Sequence, residues 1–267
     1  MTRVAVLMPT LGRAGWDEHL PALLGQTRTP DRIIVVIDRE ISAAERLDFQ
    51  RRWPQVSFIF NDARLGITKS LNIGLAAAAD ADVIVRADDD DESFPRRIEL
   101  QLDLMERDGA DLVAGWAEGR GESGGTYLIR CPTTHDAILD GLKKRNCLIH
   151  PALTFRRAPI VALGGYDETF VNAQDYGLYL ASIRAGLRFS AVGEPVVKRF
   201  YHGNNISVER RMHQLMYSCA ARAAHHAATG DRAAFIRSML HYLQLAATPM
   251  WLRRARRRVF SIIGRGA

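Results

Sequence analysis

Four short runs of apolar residues stand out in the first third of the chain, at positions 4–8, 33–37, 56–60 and 83–85. Each has the length of a strand and none alternates cleanly with polar residues, as expected of strands buried on both faces. Between them, residues 17–25, 42–52 and 68–79 predict helices. In the last of these Leu71, Leu75 and Ala78 recur at helical spacing, and Thr68 is placed to cap the start. Strands alternating with helices imply parallel βαβ units in a doubly wound sheet. Ligands on such sheets bind at the carboxyl ends of the strands. The unusual polar residues sit at those ends: Pro9 and Thr10 after the first run, Asp38 after the second, an aspartate run after the fourth.

The middle of the chain, about 111–201, is more mixed. Strands are predicted at 112–116, 127–130, 152–155, 189–192 and 196–201, with a helix from Asp175 to Gly186. From Val208 onward the composition turns to Ala, Arg, His and Met and predicts two or three helices. No internal repeat or linker divides the chain. With 267 residues, 47% hydrophobic and 25% charged, it can bury an ordinary soluble core.

No apolar run reaches the roughly 18 residues of a membrane span. The run at 4–8 is too short for a signal-peptide core, so a cytoplasmic location is expected. Cys131, Cys147 and Cys219 are odd in number and far apart, which suits buried thiols rather than disulfides or zinc. The net charge of +6 belongs entirely to the end of the chain: Arg253, Arg254, Arg256, Arg257, Arg258 and Arg265 follow Met250 with no acidic residue among them. A neutral body argues against nucleic acid as a partner.

Asp88, Asp89, Asp90 and Asp91 lie directly after the fourth apolar run. Adjacent carboxylates at a strand end repel one another and persist best beside a cation. On extended chain, Asp88 and Asp90 point the same way and can share a divalent ion that also bridges phosphate oxygens. A solvated acidic loop is the plainer reading of such a run, but its position after a buried strand favours metal. Ser93 and Pro95 suit a helix start, with Ile98, Leu102 and Met105 along one face.

Several segments in order resemble the successive motifs of family 2 inverting glycosyltransferases. They are Val4-Ala-Val-Leu-Met-Pro-Thr10, Ile34-Val-Val-Ile-Asp38, Ser70-Leu-Asn-Ile-Gly74 and Arg86-Ala-Asp-Asp-Asp-Asp-Glu-Ser-Phe-Pro95. They continue with His150-Pro151, Gly164-Gly165-Tyr166-Asp167, Gln174-Asp175-Tyr176 and His202-Gly-Asn-Asn-Ile-Ser207. The resemblance implies an α/β chain of GT-A fold over residues 1–207, with a mostly parallel central sheet flanked by helices. A nucleotide-binding half would cover about 1–110 and an acceptor half about 111–207. A C-terminal helical extension with a basic tail would follow over 208–267.

The resemblance also implies roles. Asp88 and Asp90 would bind Mg²⁺ or Mn²⁺ and the donor diphosphate, with Asp91 beside them, and Asp89 would join Asp88 in the cofactor contacts. Asp38 would pair with the donor base or ribose. Pro9, Thr10, Arg13 and Lys69 would line the nucleotide pocket, although an exposed helix lysine is the plainer account of Lys69. Asp175 would be the catalytic base, a position that also suits a helix N-terminal aspartate. His202 would be a further metal ligand or a diphosphate contact, although polar surface is the plainer account of a lone loop histidine. Trp116 reads equally as a sugar platform or a core side chain, and His150 and Gly164-Gly165 would shape the acceptor-side loop. The donor would be a UDP-, GDP- or dTDP-sugar and the acceptor a glycan, a lipid-linked glycan or a small molecule. Two departures stand out: the family's Asp-Asp-Gly-Ser is Ile37-Asp38-Arg39-Glu40 here, and its Glu-Asp pair is Gln174-Asp175.

Trp251, Leu252, Ala255, Val259, Ile262 and Ile263 fall on one arc of a helical wheel opposite the arginines. Residues 250–263 therefore suit either the surface of an anionic membrane, on the inner face, or packing on the domain. Single-sugar transfer is expected, because neither membrane spans nor a Gln-x-x-Arg-Trp motif is present. Two rivals remain. One is a catalytically degenerate nucleotide-sugar-binding or membrane-scaffold protein. The other, a sugar nucleotidyltransferase, is disfavoured by the sparse Gly12-Arg13 loop.

Overall fold

The computed structural model describes residues 2–121, 125–200 and 211–247. His202 with its surrounding motif and the basic tail lie outside the described residues. The first four strands are β1 (Val4–Thr10), β2 (Arg32–Ile37), β3 (Val56–Phe60) and β4 (Val83–Arg86), adjacent in the order β3-β2-β1-β4 and all parallel. They are linked through α1 (Leu20–Leu24), α2 (Ala43–Arg52) and α3 (Ile67–Ala77).

The sheet continues unbroken into the second half, where it becomes mixed. Short β5 (Asp91–Ser93) precedes α4 (Arg97–Asp108), β6 (Leu112–Arg120), β7 (Thr126–Ile129) and α5 (His135–Lys144). A 3₁₀ turn (His150–Ala152) leads to β8 (Thr154–Arg156) and α6 (Arg157–Ala162), followed by α7 (Gln174–Arg184) and β9 (Phe189–Phe200). β8 pairs antiparallel with β4 and β6, while β6 and β9 run parallel. The chain ends, among the described residues, in α8 (Arg211–Ala228) and α9 (Arg232–Ala247).

All seven residues of β1 are buried, so both of its faces are covered. Val4, Val6 and Met8 join one core with Ile98 and Met105 of α4. Ala5 and Leu7 join the other with Leu71 and Leu75 of α3 and Tyr176 and Tyr179 of α7. The continuous apolar runs thus mark β1, β2 and β4 as two-sided strands, while β3, at the edge of the sheet, is buried only at Val56.

Three local expectations change. Thr68 does not cap α3: Gly66 holds that position at φ 94°, and the Thr68 hydroxyl donates to the Phe170 carbonyl instead (2.8 Å). The helix expected from residue 17 begins only at Leu20, because Asp17 accepts from Arg52 (2.6 Å) and the Trp53 indole (2.9 Å). The two strands expected near 189–201 are one strand, β9, irregular where Pro195 faces Trp116. Proline cannot donate to a ladder, so an irregularity suits it there.

Candidate active site

The carboxyl ends of β1, β2 and β4 lie side by side, and the candidate residues gather at that edge. β4 ends in Arg86, whose guanidinium is 1% exposed. It donates to the Ala87 carbonyl and to Asp88 Oδ1 (2.5 Å), while its Nε is buried without a partner among the described residues. A second buried cation, Arg97 at the start of α4, braces the turn from behind. It donates to Ser93 Oγ (3.0 Å), Gln101 Oε1 (3.1 Å) and the carbonyls of Arg86 (2.6 Å) and Leu153 (3.3 Å). Gln101 is itself held by Val113, Ala152 and Thr154. These partners satisfy the side chains of Arg97 and Gln101, as burial demands. Burial lowers the Arg97 pKa to about 9.

On this base the aspartates diverge. Asp88, Asp90 and Asp91 bring one carboxylate oxygen each to within 4.8 Å of one another. Asp89 turns away and accepts from the Thr10 hydroxyl, which itself accepts from the Gly12 amide (2.9 Å). Burial would raise Asp88, but the Arg86 guanidinium prevails and holds its carboxyl below the ordinary range. Burial pushes Asp90 up to about 6, helped by the charges of Asp88 and Asp89. Asp91, the most buried, is pushed up to about 8 against the opposing pull of Arg199, whose Nε lies 3.2 Å away. Asp89 is likewise raised by burial. Several carboxylate oxygens converging on one point form a hard-oxygen donor set, which fits Mg²⁺ or Mn²⁺.

The remaining nucleotide-side expectations are placed unequally. Asp38 is buried and accepts from Asn61 (3.0 Å) and from the amides of Leu65 (2.8 Å) and Gly66 (2.9 Å). Its carboxylate thus anchors the entry to α3, which leaves about one lone-pair position for a ligand. Pro9 is buried within β1; Arg13 and Lys69 are exposed. Arg39, which replaces a small residue of the family motif, ties the loop after β1 through the carbonyls of Leu11 (2.7 Å) and Gly12 (3.2 Å).

Asp175 stands in the first turn of α7, preceded by Ala173 in the left-handed region at φ 57°. An alanine there carries backbone strain of about 1–2 kcal/mol, which surrounding structure has to hold. Burial raises the Asp175 pKa; a hydrogen bond from Asn146 Nδ2 (2.7 Å) and backbone amides oppose it, and Arg86 adds a favourable charge. The fields of Arg86, Asp88 and Asp175 all reach Tyr166. That ring's hydroxyl meets His150 Nε2 at 3.0 Å, and burial pushes the imidazole down to about 3. His150 is therefore neutral at physiological pH. Tyr166 is fixed from α3, where Asn72 accepts from its amide (2.8 Å) and donates to its carbonyl (2.8 Å). Trp116 is half-buried, donates to the Cys131 carbonyl (2.9 Å) and lies under Arg130, so it packs rather than presenting an open face.

Sequence reasoning did not assign Arg86, Asn146 or Tyr166 to the site. Arg86 carried a signal, a lone charge ending an apolar strand. Asn146 carried none, since it lies in a loop far from Asp175 in sequence.

Among curated relatives, the chain is 28% identical over 177 residues to the UDP-Gal:alpha-D-GlcNAc-diphosphoundecaprenol beta-1,3-galactosyltransferase of Escherichia coli. That match covers 64% of this chain and 62% of the relative, so the chain spans less than two thirds of that protein's length. The amylovoran biosynthesis glycosyltransferase AmsE of Erwinia amylovora is 28% identical over 184 residues, covering 67% of this chain and 65% of the relative. Among solved structures, S. aureus TarS superposes with a TM-score of 0.60 at 14% identity, over 82% of this chain and 39% of TarS. TarS 1–349 in complex with UDP gives 0.56 at 15% identity, over 82% of this chain and 65% of that one. At such identities the likeness shows the shared GT-A fold alone. The model of Glycosyl transferase family 2 matches residues 6–159, more than half of the sequence, and the chain belongs to that family.

Proposed function

We propose that the protein is a metal-dependent, inverting glycosyltransferase that moves one sugar from a nucleotide-diphosphate sugar to an acceptor hydroxyl. The carrying observation is the pairing of two carboxylate sites at one sheet edge. Asp88, Asp90 and Asp91 converge at the end of β4, and Asp175 sits across from them on α7, within the field of the same Arg86. The relatives support a UDP-sugar donor and a lipid-linked acceptor in cell-surface glycan synthesis, since one is named for UDP-galactose and a diphosphoundecaprenol acceptor.

In this reading Asp88 and Asp90, with His202, would hold Mg²⁺ or Mn²⁺, which would supply positive charge at the departing diphosphate. Asp89 and Thr10 shape the floor of the nucleotide pocket. Asp38 spends its remaining lone pair on the ribose or base, and Pro9, Arg13 and Lys69 line the rim. Asp175 accepts the proton of the acceptor hydroxyl as that oxygen bonds to the anomeric carbon and the anomeric bond to the diphosphate breaks. Attack opposite the leaving group inverts the configuration. Neutral His150 and Tyr166 keep the space beside Asp175 free of added charge. Residues 250–263 bring the enzyme to the inner face of an anionic membrane.

The test is calorimetric titration with UDP, GDP, CDP and dTDP, each with and without Mn²⁺. Metal-dependent binding of one nucleotide, lost in Asp88→Asn, supports the reading. Failure of all four under both conditions would favour a degenerate scaffold.

A further inference from the structure

Helix α9 is built inside out. Its small residues Ala234 and Ser238 are the buried ones, against α8, whereas Ile236, Leu240 and Leu243 are 55%, 59% and 56% exposed. Met239, Leu240 and Leu243 lie three, four and seven residues after Ile236, so the four form one stripe on the helix. A helix that turns its larger aliphatic side chains outward has a second face meant for burial.

Charge identifies what covers it. From Arg211 to the end of the chain there are ten arginines and a single acidic residue, Asp231. That aspartate is engaged as the start of α9, where its carboxylate accepts from the Ala234 amide (2.9 Å). α9 itself carries exposed Arg232 and Arg237, so a second copy docked symmetrically on it would set arginine against arginine. Four side chains also fall well short of the roughly 800 Å² per partner of a stable protein interface. An anionic bilayer answers both points: acyl chains accept the stripe and headgroups answer the arginines.

We infer that the outer face of α9 is a docking surface for an anionic lipid bilayer, acting alongside the basic segment that follows it. The inference gives a physical route to the lipid-linked acceptor of the proposed function and rests on that reading for its purpose, but not for its geometry. α8 packs against α7, which carries Asp175, so docking through α9 would tie the catalytic carboxylate to the membrane surface by two helix contacts.

The test uses the full chain and co-sedimentation with phosphatidylcholine vesicles, with and without phosphatidylglycerol. Both substituted positions of the double variant Leu240→Gln/Leu243→Gln are exposed, so its fold should persist, checked by circular dichroism and by nucleotide titration. The expected result is binding to phosphatidylglycerol vesicles that weakens about tenfold or more in the variant, with nucleotide binding unchanged. Equal vesicle binding by both proteins would overturn the inference and leave the tail as the sole anchor. No vesicle binding by the wild type would overturn it too, as would a dimer in ultracentrifugation that the variant loses. Nucleotide binding is read separately, so its failure counts against the proposed function and not against this surface.

Discussion

Replacing Gly74 by alanine should destabilise the protein, although alanine is the better helix former. Gly74 lies inside α3, where alanine would ordinarily gain about 1 kcal/mol. Here the added Cβ would fall far inside contact with Leu7 Cδ1, 3.3 Å from Leu7 Cγ and 3.2 Å from Val36 Cγ2. Carbon atoms settle about 3.5–4.0 Å apart, so one partner has to move substantially. Leu7 is fully buried in β1, whose backbone is paired on both sides, opposite Ile34 and Arg86. Relief must come from an off-rotamer leucine or from α3 lifting off the sheet. Overpacking of this kind costs about 1–3 kcal/mol and can exceed that when a paired strand resists. The net expectation is a loss of about 1–2 kcal/mol, or about 2–8 °C in melting temperature for a chain of this size. Urea unfolding followed by circular dichroism measures it, with Gly125→Ala as control, since no described residue lies within 4 Å of a Cβ there. A Gly74→Ala protein as stable as the wild type would refute the close approach of α3 to β1.

Asp175→Asn should lower kcat by about 10²–10⁴ while metal-dependent nucleotide titration stays unchanged; equal loss of both would mean the site has collapsed. Asn146→Ala removes a hydrogen bond that favours ionised Asp175, so the pKa of that carboxyl rises further above its ordinary value. A base works deprotonated, hence the acidic limb of kcat/KM should move to higher pH, and an unmoved limb would detach Asn146 from the base. Asp90 and Asp91 are raised to about 6 and about 8, so the folded, metal-free protein holds protons that the unfolded chain releases from about pH 4 upward. Its stability should therefore fall as pH rises between about 4 and 8. Mn²⁺ needs the deprotonated carboxylates, so its affinity in the presence of nucleotide should climb over the same range, with protons released on binding. Melting and calorimetry across that range check both directions.

The parts of the fold legible in the sequence are those set by local chemistry. Runs without alternation marked β1, β2 and β4 as two-sided strands, whereas β3 at the sheet edge is only half-buried, and the aspartates marked the strand end where carboxylates converge. What escaped notice depends on distant partners. β5 is three polar residues with no strand signal of their own; they extend because Lys198 and Arg199 of β9 pair with Glu92 and Asp91 (2.7 and 3.2 Å). Thr68 looked like a cap because threonine often is one, yet a carbonyl supplied by Phe170 outbids the helix end. Asn146 reaches Asp175 only once α5 and α7 have packed. Asp38 was read as facing the ligand, and the structure shows how much of its hydrogen-bonding capacity the chain itself consumes.

The two side chains that α3 extends across the sheet have a consequence for protein engineering. Thr68 and Asn72 arise in the half proposed to face the donor, yet they hold the backbone of Phe170 and Tyr166 in the half proposed to take the acceptor. A chimera that exchanges everything after about residue 110 for the matching part of a relative would place the two ends of these hydrogen bonds in different parents. Such hybrids should fail at the loop before α7 more often than at the sheet, where backbone pairing is indifferent to side chains. Exchange of acceptor preference is better attempted by carrying Thr68 and Asn72 of α3 along with the grafted loop.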